Sequence, residues 1–146
     1  VTDDGNQRHQ GFLSALNDNN INIPEELIFK GDYTYRKGYE GALSLLKQDL
    51  PFTALFCGND QSAMSAIAAI TNKGFEVPND ISVIGYDDMN IASYTSPPLT
   101  TVRIPFNRMA ISATRRLLNL CYNLELDIDY DFPIQLIERS SVKNMG

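Results

Sequence analysis

The sequence predicts an α/β fold built on a doubly wound parallel sheet, and three observations predict it. Short apolar runs rich in β-branched residues, each too short for a helix, recur along the chain. Between them lie segments whose apolar residues fall at helical spacing. The two kinds alternate, helix then strand, as far as Tyr86, which is the order of a parallel sheet with crossover helices.

The most informative strand is the run Ile81-Ser82-Val83-Ile84-Gly85-Tyr86. Pro78 disfavours a helical Val77, and Asn79 and Asp80 are turn formers. The run is apolar on both faces, which reads as a strand in the middle of a sheet. It ends in Asp87-Asp88. Open α/β sheets place ligand contacts beyond the carboxyl ends of their strands, so these acids are candidates for a site.

The other elements follow in order. Phe12, Leu13 and Leu16, with Arg8 four residues before Phe12, predict a helix over 6–18, ended by Asn17-Asp18-Asn19-Asn20. Leu27-Ile28-Phe29 reads as a short strand. Tyr39, Ala42, Leu43, Leu45 and Leu46 predict a helix over 35–47, and Pro51 closes the loop after it. Residues 53–57 read as a buried strand followed by Asn59-Asp60, with Asp60 placed to cap a helix running to 72. Gly74 suits the position just past that helix. Residues 89–96 form a loop with a helical turn, and 99–102 a strand after Pro97-Pro98. Met109, Ile111, Ala113, Leu117, Leu118 and Leu120 predict a helix over 107–123, with Arg115 and Arg116 facing out. Residues 124–131 are acidic and loop-like. Residues 132–139 alternate at period two, a strand that Pro133 assigns to an edge or a strand start.

Bulk properties narrow the function. With 146 residues and 43% hydrophobic content, one core is affordable. The net charge of −6 and the lack of a clustered basic face argue against direct DNA binding, which draws its affinity from phosphate neutralisation. Cys57 and Cys121 lack metal-site spacing, and Cys57, in an apolar run, reads as a buried free thiol. No run of about 18 apolar residues and no leader is visible, so the expected location is cytoplasmic, without a membrane partner.

The stretch "VPNDISVIGYDD" followed by "PPLTTV", together with "RHQGFLSAL", "GDYTYRKGYEGALSLL", "FTALFCGNDQSAMSAIAAITNKG" and "IERSSV", resembles the LacI/GalR family of bacterial transcription regulators. The fragments occur in the family's order and spacing. The resemblance implies a type I periplasmic-binding-protein-like fold, mostly its carboxyl-terminal lobe. On that reading residues 1–103 make this lobe, 104–131 return to the other lobe, and 132–146 supply the closing strand and tail, with a hinge near Ile104-Pro105. The chain starts without Met and reads as the second half of a longer protein carrying a helix-turn-helix headpiece.

Candidate site residues gather at strand-to-helix junctions: Arg8, Tyr33, Asn59 and Asp87. A neutral polyol needs donors and acceptors matched to its hydroxyls and a flat apolar surface for its ring. Arg8 is a fork of donors, Asp87 accepts from vicinal hydroxyls, Asn59 does both, and Tyr33 supplies a ring. The resemblance puts effector contacts at the same four positions, with Asp4 as a weaker fifth. It also places Tyr94, and more weakly Met64, near the dimer interface. Each has a plainer reading. Arg8 could be a surface helix residue, Asn59 and Asp60 helix caps, Tyr33 and Tyr94 loop anchors, and Asp87 a turn former; Asp88 is taken as a loop or capping residue.

Catalysis is not expected. Asp87 and Asp88 are adjacent and point opposite ways on an extended strand, and His9 has no nucleophile partner in a recognisable pattern. No glycine-rich phosphate loop follows a strand. Asp127, Asp129 and Asp131 lack the glycine and terminal glutamate of a calcium loop, so no metal and no cofactor is assigned.

The function expected is sensing of a small effector, a sugar or nucleoside-like molecule, by a homodimeric repressor that grips operator DNA through its headpiece. The alternative is the sugar-binding protein of an importer, which shares the fold. If helix 107–123 lacks its partner lobe, its apolar face stands exposed. The 146-residue chain alone should then bind the dye ANS and self-associate in sedimentation; a dye-negative monomer would contradict this.

Overall fold

The computed structural model describes residues 3–144, apart from the side chains of Asp3 and Asp4. Helix α1 spans Asp3–Asp18, three residues longer at its start than helical spacing indicates. Helix α2, Tyr35–Leu45, begins where the Thr34 hydroxyl accepts from the Lys37 N–H at 3.2 Å, a capping interaction. Strand β1 is Ala54–Phe56, helix α3 Asp60–Asn72 and strand β2 Ser82–Asp87. A 3-10 turn, Asn90–Tyr94, precedes strand β3, Thr100–Arg103. Helix α4, Phe106–Tyr122, ends at Asn123, whose left-handed backbone (φ 53°) stops it. Strand β4 is Gln135–Ile137.

The strands form one sheet in the order β1-β2-β3-β4. β1, β2 and β3 run parallel, and β4 is antiparallel to β3. β2 is interior, as its apolar run indicates, and β4 is an edge strand, as Pro133 suggests. The register sets Asp87 opposite Arg103, at the carboxyl ends of β2 and β3.

Two strand expectations are corrected. Glu25–Leu27 is a 3-10 turn, and Ile28 is extended (φ −111°, ψ 115°) without a ladder partner among the described residues. A strand exists only through hydrogen bonds to a neighbouring strand, and among the described residues this stretch makes its backbone bonds only within its own turn. It lines a cavity of about 270 Å³ whose other walls include Ala54, Leu55 and Phe56 of β1. Among the described residues β1 in turn pairs on one side only, so it is a partly exposed edge and not a buried strand.

The core lies between α3, α2 and β2. Ala63, Ala66, Ile67, Ala69 and Ile70 of α3 are buried against Val83 and Leu99. The tail is stitched in by Ser141, whose buried hydroxyl donates to the Val83 carbonyl at 2.6 Å and accepts from the Thr100 N–H at 2.8 Å. Close approach of α2 to α3 depends on Gly38. A Cβ there would lie 2.5 Å from Ser62 Cα and 2.6 Å from its carbonyl oxygen.

Among the described residues α4 makes no extensive contact with the sheet or the other helices. Polar bonds zip it to residues 124–131 instead. Asn119 both donates to and accepts from the Leu126 backbone, and Arg108 pairs with Asp129. Arg115 is exposed, as its spacing predicts, and donates to the Asp127 carbonyl at 3.2 Å. The apolar stripe is uncovered: Ile111, Leu117 and Leu120 are all exposed, Leu120 at 77%.

Gly38→Ala should destabilise the protein by about 1–3 kcal/mol in urea denaturation, because backbone must move to admit the methyl group. Gly11→Ala is the control. It sits inside α1 with open space around it and should be neutral or stabilising by about 0.5–1 kcal/mol.

Candidate functional site

The carboxyl ends of β1 and β2 and the exposed ends of two loops converge on Arg8. This residue sits in α1, and its Nη1 donates to the Gly58 carbonyl at 2.7 Å. Its Nη2 lies 3.9 Å from Asp87 Oδ1, and the two side chains are 18% and 19% exposed. The guanidinium carbon stands 4.3 Å from the Tyr86 ring centroid and 5.6 Å from that of Tyr33, both within cation–π range. Arg8 is therefore not a surface helix residue.

Tyr33 reaches this position through a left-handed backbone, φ 68°. Its ring lies over Gly58, where a Cβ would come 2.8 Å from Tyr33 Cε1, so glycine is needed at that point. Asn59 fixes the same loop. Its Nδ2 donates to the Tyr33 carbonyl at 3.0 Å, and its Oδ1 accepts from the Ser62 N–H at 2.9 Å. Asn59 is thus the N-cap of α3, and the assignment of that role to Asp60 is corrected.

Asp60 is one residue inside the helix and fully buried. Its Oδ1 accepts from the Thr101 hydroxyl at 2.5 Å and its Oδ2 from the Met89 N–H at 2.7 Å. Burial pushes its carboxyl pKa up, opposed by the bonds from Thr101 and Met89.

Asp87 and Asp88 both have positive φ, 112° and 54°. Their carboxylates take different partners, Asp87 facing Arg8 and Asp88 facing Arg103 and Arg139, through this left-handed bend and not through the alternation of an extended strand. Asp88 lies in the loop just past β2, as read, but it is also the centre of an ion cluster. Its Oδ2 accepts from Arg103 Nε at 2.6 Å and its Oδ1 from Arg139 Nη2 at 2.7 Å, and its side chain is 7% exposed. Burial alone would raise its pKa, but the bonds from Arg139 and Arg103 outweigh it and hold the carboxyl below the ordinary range.

The four sequence-selected residues are brought together, but not around one enclosed pocket. Arg8 and Tyr33 line the cavity of about 270 Å³; Asn59 and Asp87 do not. That cavity is walled mainly by apolar groups such as Phe12, Leu45, Phe52 and Phe56. The polar cluster forms an open rim beside it. Cys57, also on the cavity wall, has its thiol pushed up to about 12 by burial and by Asp60, which keeps it protonated. Asp4 is in the first turn of α1, and nothing of its side chain is described. Tyr94 is 81% exposed and so is not packed on its own loop, whereas Met64 is partly buried against the core.

Asp60, Thr101, Arg103 and Arg139 escaped the sequence reading as site-supporting residues. The available signal was a charge count: the segment just past the last strand carries an arginine, Arg139, and Asp88 needs a cation once buried.

Residues 1–142 match the periplasmic binding protein-like domain. The chain is 44% identical over 139 residues to the HTH-type transcriptional repressor PurR of Photorhabdus laumondii, covering 94% of this chain and 41% of the repressor. It spans less than half the length of the curated relatives it matches. Among solved structures, it is similar to a sugar-binding transcriptional regulator of the LacI family from Escherichia coli complexed with phosphate. There the TM-score is 0.84 at 36% identity, covering 92% of this chain and 49% of that one. A LacI family regulator from Lactobacillus casei with bound glucose aligns at TM-score 0.86 and 28% identity, covering 97% of this chain and 52% of that one.

The ion cluster carries a pH signature. A carboxylate with a lowered folded pKa contributes stability that is fully present above its unfolded value of about 4 and is lost as pH falls through its folded value. The raised pKa of Asp60 acts in the opposite sense, because acidification through the window just above about pH 4 relieves the cost of a buried charge. Asp88→Asn should cost about 1–3 kcal/mol at neutral pH. In urea titrations from roughly pH 5 to roughly pH 3 it should lose less further stability than the parent.

Proposed function

The chain belongs to the periplasmic binding protein-like domain family, among the LacI-type transcriptional regulators, and on that premise we propose that it senses a small neutral effector, first of all a sugar. One observation carries the ligand reading. The guanidinium of Arg8 lies within cation–π range of two tyrosine rings, against a backbone carbonyl and an aspartate, at the carboxyl edge of parallel strands.

That arrangement suits vicinal hydroxyls. Asp87 offers carboxylate acceptors, Arg8 offers donors, and the Tyr33 ring offers a flat surface to the pyranose face. Asn59 serves mainly to hold Tyr33 and the start of α3 in place. Structural relatives described with bound glucose and in a cellobiose complex support a saccharide. The second ligand class is a nucleobase or nucleoside, favoured by the presence of two tyrosine rings, Tyr33 and Tyr86, near Arg8.

In the proposed protein this lobe, residues 1–103, faces a second lobe across the rim. Residues 104–131 cross to that lobe through a hinge near Ile104-Pro105, and 132–146 return. Regulators of this kind act as dimers, with Tyr94 and Met64 near the interface, and reach operator DNA through a helix-turn-helix outside this chain. Among the described residues no helix is long and apolar enough to cross a membrane, and a cytoplasmic regulator is the proposal. The effector shifts operator affinity through its differential affinity for two lobe arrangements, typically about 1–3 kcal/mol of coupling.

Thermal-shift measurements on the full-length protein with glucose, cellobiose, sucrose and a set of nucleosides test this. A true ligand at about 100 times its Kd should stabilise by about 2.7 kcal/mol. Arg8→Ala and Asp87→Ala should each abolish that gain. Retention of the shift in both variants would remove these residues from the site.

A further inference from the structure

Three non-glycine residues at the rim have left-handed backbones, and two of them are consecutive: Tyr33, Asp87 and Asp88. Such conformations are disfavoured for L-residues and persist only where surrounding structure over-determines them. At the end of β2 the determinants are visible. Asp88 is gripped by Arg103 at 2.6 Å and Arg139 at 2.7 Å. Arg139 is itself anchored, its Nη1 donating to the Leu99 carbonyl at 2.7 Å. One residue further on, the Met89 N–H is held by buried Asp60 at 2.7 Å. These bonds fix the backbone on the far side of Asp87, whose own carboxylate turns to Arg8.

We propose that Asp88, clamped between Arg103 and Arg139, is a positioning residue that aims the Asp87 carboxylate at Arg8 and so sets the acceptor geometry of the effector site. The proposal deepens the sensing reading of that site and rests on it for its functional meaning. Asp88 itself does not touch the ligand. Its carboxylate is spent on two arginines from β3 and the closing segment, on the side of the strand away from Arg8. The device works because a left-handed pair at a strand end has few compatible geometries. With the clamp closed, the Asp87 side chain has one direction; with it open, the turn relaxes toward ordinary extended backbone and Asp87 swings off.

The decisive variant is Asp88→Gly. Glycine adopts positive φ without penalty, so the turn is not forced open by strain, yet both arginine bonds are removed. The readout is the Arg8 Nε–H resonance in ¹⁵N-arginine-labelled, full-length protein without ligand, alongside the thermal midpoint. The proposal expects the resonance to move toward its position in Asp87→Ala, while the midpoint falls at least as far as in Asp88→Asn and the protein stays folded. Asp88→Asn tolerates the left-handed backbone and keeps one acceptor, so it should fall between parent and Asp88→Gly. Affinity for whichever of glucose, cellobiose or sucrose shifts the parent should fall about tenfold or more in Asp88→Gly. An Arg8 resonance unmoved in Asp88→Gly overturns the proposal. Should that variant fail to fold, Arg103→Gln, at a half-exposed position, gives the same test with the same two outcomes. If none of the three sugars shifts the parent protein, the saccharide reading fails, while the Arg8 resonance still decides the positioning claim.

Discussion

The fold turns on one buried carboxylate. Asp60 enters α3 at its first residue and joins three elements: its own helix, the loop after β2 through the Met89 N–H, and β3 through the Thr101 hydroxyl. Removing a charge from water costs several kcal/mol, and here hydrogen bonds to both oxygens and the nearby Arg139 offset part of it, burial still holding the carboxyl pKa above its ordinary value. The constraint propagates to other positions. Gly85 has to be glycine, because a Cβ there would run into Asp60 Oδ1 and come within 2.9 Å of Leu99. Thr101 has to carry a hydroxyl. Parallel register alone would bring β2 beside β3; Asp60 decides how the chain leaves β2 and so where the acids that follow can point.

Around that anchor the rim trades local comfort for geometry. Tyr33 bends left-handed over Gly58 and is pinned by Asn59; Asp87 and Asp88 bend left-handed and are pinned by Asp60 and two arginines. Arg8 draws the pieces together from a helix that touches the sheet through the stacked Phe12 and Phe56 rings, 5.0 Å apart. The polar groups of the rim thus divide into those that hold and those that face outward. Asn59 belongs with the holders, although its chemistry suits either task.

What was legible in the sequence was local. Apolar runs and helical spacing located α2, α3, α4, β2 and β3 within a few residues, and the motifs around Arg8, Tyr33, Asn59 and Asp87 pointed to groups that do converge. What was illegible depended on neighbours distant in sequence. Asp60 meets Thr101 across 41 residues, and Asp88 meets Arg139 across 51. No spacing rule announces such pairs. The stretch Leu27-Ile28-Phe29 has strand composition, yet pairing is a property of two segments, and the described residues contain no second one for it. The confusion of Asn59 with Asp60 was a matter of one residue: both can cap, and only the extended backbone at Asn59 (φ −157°, ψ 172°) settles which one does.

Arg103 is the last rung of β3 and the point from which the chain departs toward α4. Its grip on Asp88 makes the end of the sheet a lever. A tilt of α4 would drag the guanidinium along the carboxylate and torque the bend beside it, so mechanical work done at the outer helix would arrive at the rim as a change of aim. Because the arm of that lever is half in water, its stiffness would soften as ionic strength rises, and any mechanical message sent along it would be blunted by salt.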